Sequence, residues 1–230
     1  MIITDFRCNI VNCFFQHFCI WSLPMKQSVR ILLLLLGISI FLTAGCSQGA
    51  KLPPLAGDGV ILAFGDSLTY GTGAGESESY PAVLGQLSGH KVLNYGVPGE
   101  ISADGLARLP GVLEREKPAL LILCHGANDL LRHMDQRQAA ENLRGMVRLA
   151  RERGIGVLLI AVPDFKLSLS PPKFYSEVAA EFNIPIEVKA LPQILGKVSL
   201  KSDYVHPNAA GYRQLAEALA ALLKMSGAIP

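Results

Sequence analysis

The sequence predicts a three-layer α/β/α fold: a flavodoxin-like, doubly wound sheet of about five parallel strands covered on both faces. Three observations predict it. Short, almost wholly apolar runs recur along the chain, as strands buried on both faces require. Segments with apolar residues at helical spacing alternate with those runs, which is the pattern of a parallel sheet with crossover helices. Ser67, Gly99, Asn128 and Asp164 follow the expected strands, at the carboxyl edge where such sheets hold their sites.

Each element has its own signal. Val60–Phe64 is the first apolar run and leads directly to Gly65-Asp66-Ser67-Leu68. Val92–Tyr95 is the second. Ala103, Leu106 and Leu109 then repeat every three residues, a helix expected to kink or restart near Pro110 because proline lacks the N–H a helix interior uses. Leu120–Cys124 is the third strand. Leu143, Met146, Val147 and Ala150 follow i, i+3, i+4, i+7 and predict a helix over 138–153, closed by Gly154. Val157–Val162 is the fourth strand and Ile184–Val188 a weaker fifth. Tyr212, Leu215, Ala216 and Leu219 give a final helix over Ala209–Leu223.

The chain has 230 residues, enough for one domain. Half of it is hydrophobic, with mean hydropathy +0.33, and much of that excess lies near the start. A basic stretch, Met25-Lys26-Gln27-Ser28-Val29-Arg30, precedes the almost wholly apolar run from Ile31 to Leu42. Leu42-Thr43-Ala44-Gly45-Cys46 then ends in small residues before a cysteine. Basic, apolar, small is the layout of a secretory signal, and the apolar run is short of the ~18–20 residues a spanning helix wants. The ending is similar to a bacterial lipobox, which implies lipidation of Cys46, with Thr43 where leucine is usual. An uncleaved anchor helix is the plainer alternative. Residues 1–24, with Cys8, Cys13 and Cys19, fit no signal pattern and read as a mis-assigned extension before Met25. The expected organisation is therefore a signal at 25–45, a tether at 46–58 and a catalytic domain at 59–230, exported and membrane-anchored through lipid.

Charge excludes a further class. Residues 1–45 hold three of the 21 bases and one of the 19 acids, so the remainder carries 18 of each. Nothing suggests a nucleic-acid partner, which would show as a basic patch. After Gly45 only Cys46 and Cys124 remain, and Cys124 ends an apolar run, the setting of a structural thiol. His125, Asp129 and His133 stand four apart, but Gly126 and Asn128 oppose a continuous helix there, so no metal site is expected.

The chemistry rests on few residues. A serine hydroxyl is a weak nucleophile that needs a base to take its proton and a carboxylate to orient that base. Ser67 at a strand end, with Asp203 and His206 three apart near the C-terminus, supplies that set. Pro207 would place His206 at the entrance of the final helix. Taken singly, each residue has a structural reading. Ser67 could cap a helix, Asn128 and Asp129 could shape a turn, and Arg144, Arg148 and Arg151 read as a solvated helix face. Asp66 reads as a loop tie, and Asp129 as a support for Asn128.

Four blocks in order give the residues a family. Gly65-Asp66-Ser67-Leu68, Asn94-Tyr95-Gly96-Val97-Pro98-Gly99-Glu100, Gly126-Ala127-Asn128-Asp129 and Asp203-x-x-His206 resemble those of the GDSL, or SGNH, hydrolases over about residues 60–223. The resemblance is nearest to their bacterial thioesterase/lysophospholipase and arylesterase branch. It implies Ser67 as nucleophile, His206 as base and Asp203 as its partner. It also implies an oxyanion hole from the N–H groups of Ser67 and Gly99 and the Asn128 amide, with Gly96 the weaker candidate glycine. A helix starting after Ser67 would add its positive end. The implied substrates are short- to medium-chain acyl esters, thioesters or lysophospholipids, with no cofactor. An O-acyltransferase, a carbohydrate deacetylase or a non-enzymatic envelope lipoprotein would share much of this pattern. Gly65-Asp66-Ser67-Leu68-Thr69 lacks the G-x-S-x-G elbow of the α/β-hydrolases. Val162–Pro172, with Phe165, Leu167 and Leu169, reads either as loop packing or as an acyl-chain wall or mobile lid, and Gly71–Ser79 as a second candidate for mobility near the nucleophile.

Overall fold

The structure is a computed structural model that describes residues 49–165 and 168–230. The signal segment, Cys46 and Leu167 lie outside the described residues. Among those described, no helix is long and apolar enough to cross a membrane.

Five parallel strands form one sheet in the order β2-β1-β3-β4-β5: β1 Ile61–Gly65, β2 Val92–Gly96, β3 Leu120–Cys124, β4 Gly156–Ile160 and β5 Ile186–Glu187. The flavodoxin-like order expected from the alternating pattern is the one observed. β1, β3 and β4 are buried at every position, whereas β2 is an edge strand and only partly covered. β5 is two residues long: Glu187 is its last ladder residue, and its carboxylate accepts the N–H groups of Lys189 and Ala190, which turns the chain out of the sheet. The chain steps from β1 outward to β2, then crosses back to β3. That reversal opens a crevice between the carboxyl ends of β1 and β3.

The helices are α1 Ser67–Tyr70, α2 Tyr80–Ser88, α3 Ser102–Glu116, α4 Ala127–Leu131, α5 Gln136–Arg151, α6 Lys173–Phe182, α7 Ala190–Leu195 and α8 Ala209–Ser226. α2 packs on α8, and α8 on α7; α3 packs on α5, and α5 on α6. These are the two layers that right-handed crossovers produce on a sheet that reverses direction. α5 buries Ala139, Ala140, Leu143, Met146, Val147 and Ala150, the face its spacing predicted. α3 runs through Pro110 unbroken. An interior proline costs about 3 kcal/mol, and burial of the adjoining Leu109, Val112 and Leu113 offsets that cost.

Three local expectations are corrected. Pro207 lies two residues before α8, outside its first turn, and Asn208 is the cap: its side chain accepts the Gly211 N–H. The arginines of α5 are a solvated face only in part: Arg148 and Arg151 are exposed, whereas Arg144 is mostly covered. Arg144 pairs with Glu181 at 2.6 Å and Glu141 at 3.0 Å, and Arg151 donates to the Phe182 carbonyl, so they stitch α5 to α6. Within the stretch read as a tether, Leu52 is buried. The N–H groups of Leu52 and Leu55 donate to the carbonyls of Ser226 and Ala228. Docking onto the domain therefore begins before residue 59.

Candidate active site

β1 ends at Gly65, and Asp66 turns the chain into α1. The Asp66 carboxylate accepts the Leu68 N–H at 3.0 Å and so caps the helix. Burial raises its pKa against the lowering influence of His125 and the Leu68 N–H. Ser67 is the first residue of α1, and a helix start leaves such an N–H without an intrahelical acceptor. With four residues α1 has little macrodipole, so the donor it offers is that N–H rather than a helix field.

The last block folds back onto Ser67. Lys201 and Pro207 form an antiparallel bridge, and the Ser202 N–H donates to the His206 carbonyl, closing a tight loop over 202–206. Inside it, Oδ1 of Asp203 accepts the N–H groups of Val205 and His206, both at 2.8 Å. Oδ2 accepts from Nδ1 of His206 at 2.7 Å. With Nδ1 donating, Nε2 is the acceptor, and the Ser67 hydroxyl donates to it at 2.9 Å. Partial burial would raise the Asp203 pKa. The His206 contact and the two backbone donors outweigh it and hold the carboxyl below its ordinary range. Asp203 is half-exposed and His206 mostly covered.

The two glycines of the second block differ. A Cβ on Gly96 would collide with the backbone of Thr69 and Tyr70, so Gly96 lets α1 lie against β2. Gly99 has φ +79, and a Cβ there would meet only the Arg132 guanidinium at 3.9 Å. It is the backbone conformation that needs glycine at position 99. Asn128 stands in α4, with Gly126 as its N-cap at φ +104. One amide hydrogen of Asn128 goes to the Glu100 carbonyl at 2.9 Å; an amide NH₂ has a second to give. The Val97 N–H donates to the Gly65 carbonyl. These bonds link the loops after β1, β2 and β3, so Ser67, Gly99 and Asn128 share one edge of the sheet.

Other expectations change in detail. Asp129 does not bond Asn128; it accepts the Ser102 N–H at 2.9 Å and the Ser102 hydroxyl at 2.5 Å, tying α4 to the start of α3. The Gly71–Ser79 segment is knit rather than loose. Ala74 bonds Gly71, the Glu78 carboxylate accepts the Gly75 N–H, and the Tyr212 hydroxyl donates to the Thr72 carbonyl. Phe165 is buried in the core, and its carbonyl accepts the Tyr204 hydroxyl at 2.7 Å. Cys124 is buried, and burial pushes its thiol pKa well up, which suits a structural thiol. Glu100, Arg108 and His125 escaped the sequence reading as a group. Glu100 ends the second block and His125 precedes the third, but Arg108 lies in no block, and only the fold brings the three together.

A parallel sheet whose carboxyl edge carries a serine bonded to a histidine, itself bonded to a carboxylate, has the architecture of a serine hydrolase. The family model of the GDSL-like lipase/acylhydrolases matches residues 63–214, and the chain belongs to that family. Esterase TesA of Pseudomonas aeruginosa is 31% identical over 191 residues, covering 76% of this chain and 93% of the relative. Thioesterase 1/protease 1/lysophospholipase L1 of Escherichia coli strain K12 is 29% identical over 160 residues, covering 64% and 75%. A crystal structure of TesA matches with a TM-score of 0.65 at 31% identity, covering 72% of this chain and 98% of that one.

Proposed function

We propose that the chain is a serine esterase in which Ser67 is the nucleophile, His206 the general base and Asp203 the group that orients it. The N–H groups of Ser67 and Gly99 and the Asn128 amide receive the oxyanion. The observation that carries this reading is the unbroken run of bonds from Asp203 to His206 to Ser67, at 2.7 and 2.9 Å. Ser67 Oγ attacks the acyl carbon while its proton passes to Nε2. The tetrahedral oxyanion collapses, and the alcohol or thiol leaves with the proton from His206. Water then attacks the acyl-Ser67 ester, His206 takes the water's proton and returns it to Ser67, and the carboxylic acid leaves.

The substrates are acyl esters or thioesters of short to medium chain, and lysophospholipids. The esterase and thioesterase/lysophospholipase names of the relatives support this class. So do the exposed Val97, Leu131 and Met134, which flank the oxyanion loops with apolar surface. A panel of p-nitrophenyl esters from acetyl to palmitoyl tests the reading. We expect turnover that peaks at short or medium chain; a folded protein that turns over no member of the panel would contradict it. Export and a lipid anchor at Cys46 belong to the same reading, carried by the basic, apolar, small order of residues 25–45. Labelled palmitate should enter the expressed protein and be lost in Cys46→Ser; equal labelling of both forms would sink the anchor.

A further inference from the structure

We infer that Glu100 is a positioning residue, holding the Gly99 N–H and the Asn128 amide at the separation an oxyanion requires. This inference rests on the proposed esterase reading. Glu100 directly follows Gly99, yet its side chain turns inward and is buried. Arg108 of α3 grips the carboxylate with two parallel bonds, Nε to Oε1 at 2.8 Å and Nη2 to Oε2 at 2.7 Å. The same guanidinium lies over the Phe64 ring at 4.1 Å and donates to the Tyr95 carbonyl at 3.2 Å. Arg108 thus spans β1 and β2 while holding Glu100.

On its other side Glu100 meets His125, which is wholly buried at the end of β3. The Gly126 N–H donates to Nδ1 of His125 at 3.1 Å, so Nε2 carries the hydrogen and donates to Oε2 of Glu100 at 3.0 Å. The Tyr175 hydroxyl fixes the His125 carbonyl at 2.8 Å. The Glu100 carbonyl in turn accepts from Asn128. One residue therefore joins the two donor loops twice, by its side chain to the residue before Gly126 and by its backbone to Asn128. Gly105 on α3 makes room for this: a Cβ there would strike the His125 ring.

Burial opposes the charge on Glu100, but His125 and Arg108 outweigh it and lower the pKa from 4.5 to about 2. The carboxylate is thus ionised wherever the enzyme would work. A buried, bidentate and fully hydrogen-bonded ion cluster has one geometry, whereas an apolar contact at the same place would let the loops slide. Oxyanion stabilisation depends on donors placed before reaction, and a displacement near 1 Å can cost about 10²-fold.

The test is a double-mutant cycle in the full chain on one p-nitrophenyl ester, with Glu100→Gln, Asn128→Ala and the pair. Glutamine keeps the shape but loses the charge that Arg108 and His125 hold. The expected result is a fall in kcat of about 10- to 100-fold for Glu100→Gln with KM within about threefold. In the Asn128→Ala background the same change should cost clearly less than in the wild type, because one of the two donors it positions is already gone. An equal loss in both backgrounds, an unchanged kcat, or a loss confined to KM would overturn the inference. Gly105→Ala is the second variant, since it displaces His125 while leaving the Glu100–Arg108 pair intact. It should lower kcat in the same background-dependent way, and an unaltered kcat in a variant whose His125 has moved would count against the link. Failure of the esterase reading itself looks different, because the wild-type chain would then be inactive and the cycle would have no starting rate.

Discussion

Replacing Ser67 by alanine should lower kcat/KM on a p-nitrophenyl ester by about 10⁵- to 10⁶-fold while leaving the fold intact. The size follows from how a nucleophile and its base act as a unit: losing either removes the covalent route entirely, and what remains comes from binding and the oxyanion donors. The stability expectation is specific to this structure. Had Ser67 capped α1, its hydroxyl would be worth about 1 kcal/mol to the helix. Asp66 is the cap instead, and the Ser67 hydroxyl bonds His206 alone among the described residues. Alanine is also the best helix former at a helical position. The melting temperature of Ser67→Ala should therefore lie within a degree or two of wild type. A large thermal loss beside a small kinetic one would favour the structural role.

Asp203→Asn should cost about 10³- to 10⁴-fold in kcat, and at least as much as Asp203→Ala. The reason is the loop over 202–206. Two backbone N–H groups, from Val205 and His206, both point at Oδ1. An asparagine there must put its carbonyl oxygen at that place, which leaves its NH₂ facing Nδ1 of His206. Two donors cannot share that contact, so the imidazole takes the other tautomer, with its hydrogen on Nε2. Nε2 then has no lone pair for the Ser67 proton. Alanine imposes no tautomer and admits water to a position that is already half-exposed. Kinetics of the two variants side by side check this order; an asparagine variant with near-wild-type activity would show that His206 does not need its partner.

The fold was legible because burial on both faces writes itself as continuous apolar runs. Leu120–Cys124 and the run around Val157 could be placed without reference to anything else. Val92–Tyr95 reads as a buried run like the others, yet β2 is an edge strand, only partly covered and with Asn94 exposed. α6 and α7 had no clear spacing, and their packing depends on α5 and α8 rather than on their own pattern. At the candidate site, Ser67, Asp203 and His206 were legible because the chemistry needs those residue types. Gly96 and Gly99 are ranked in the sequence by resemblance alone; the physical difference between them rests on what a Cβ would meet on each backbone. Asp129 looked like a neighbour of Asn128 in sequence, but it faces Ser102, because successive helical residues point about 100° apart. The Glu100–His125–Arg108 cluster joins three segments far apart in the chain, and no local pattern encodes such a meeting. Residues 1–48 carry the signal and lipid expectations, and these rest on the order of residue types alone.

The most direct measurement is to react the protein with a p-nitrophenyl alkylphosphonate and map the adduct by peptide mass. The phosphonyl group should sit on the peptide containing Ser67, one per chain, with release of one p-nitrophenol. It should be absent from Ser67→Ala. An adduct on another residue, or none at all in a protein that turns over esters, would contradict Ser67 as the nucleophile.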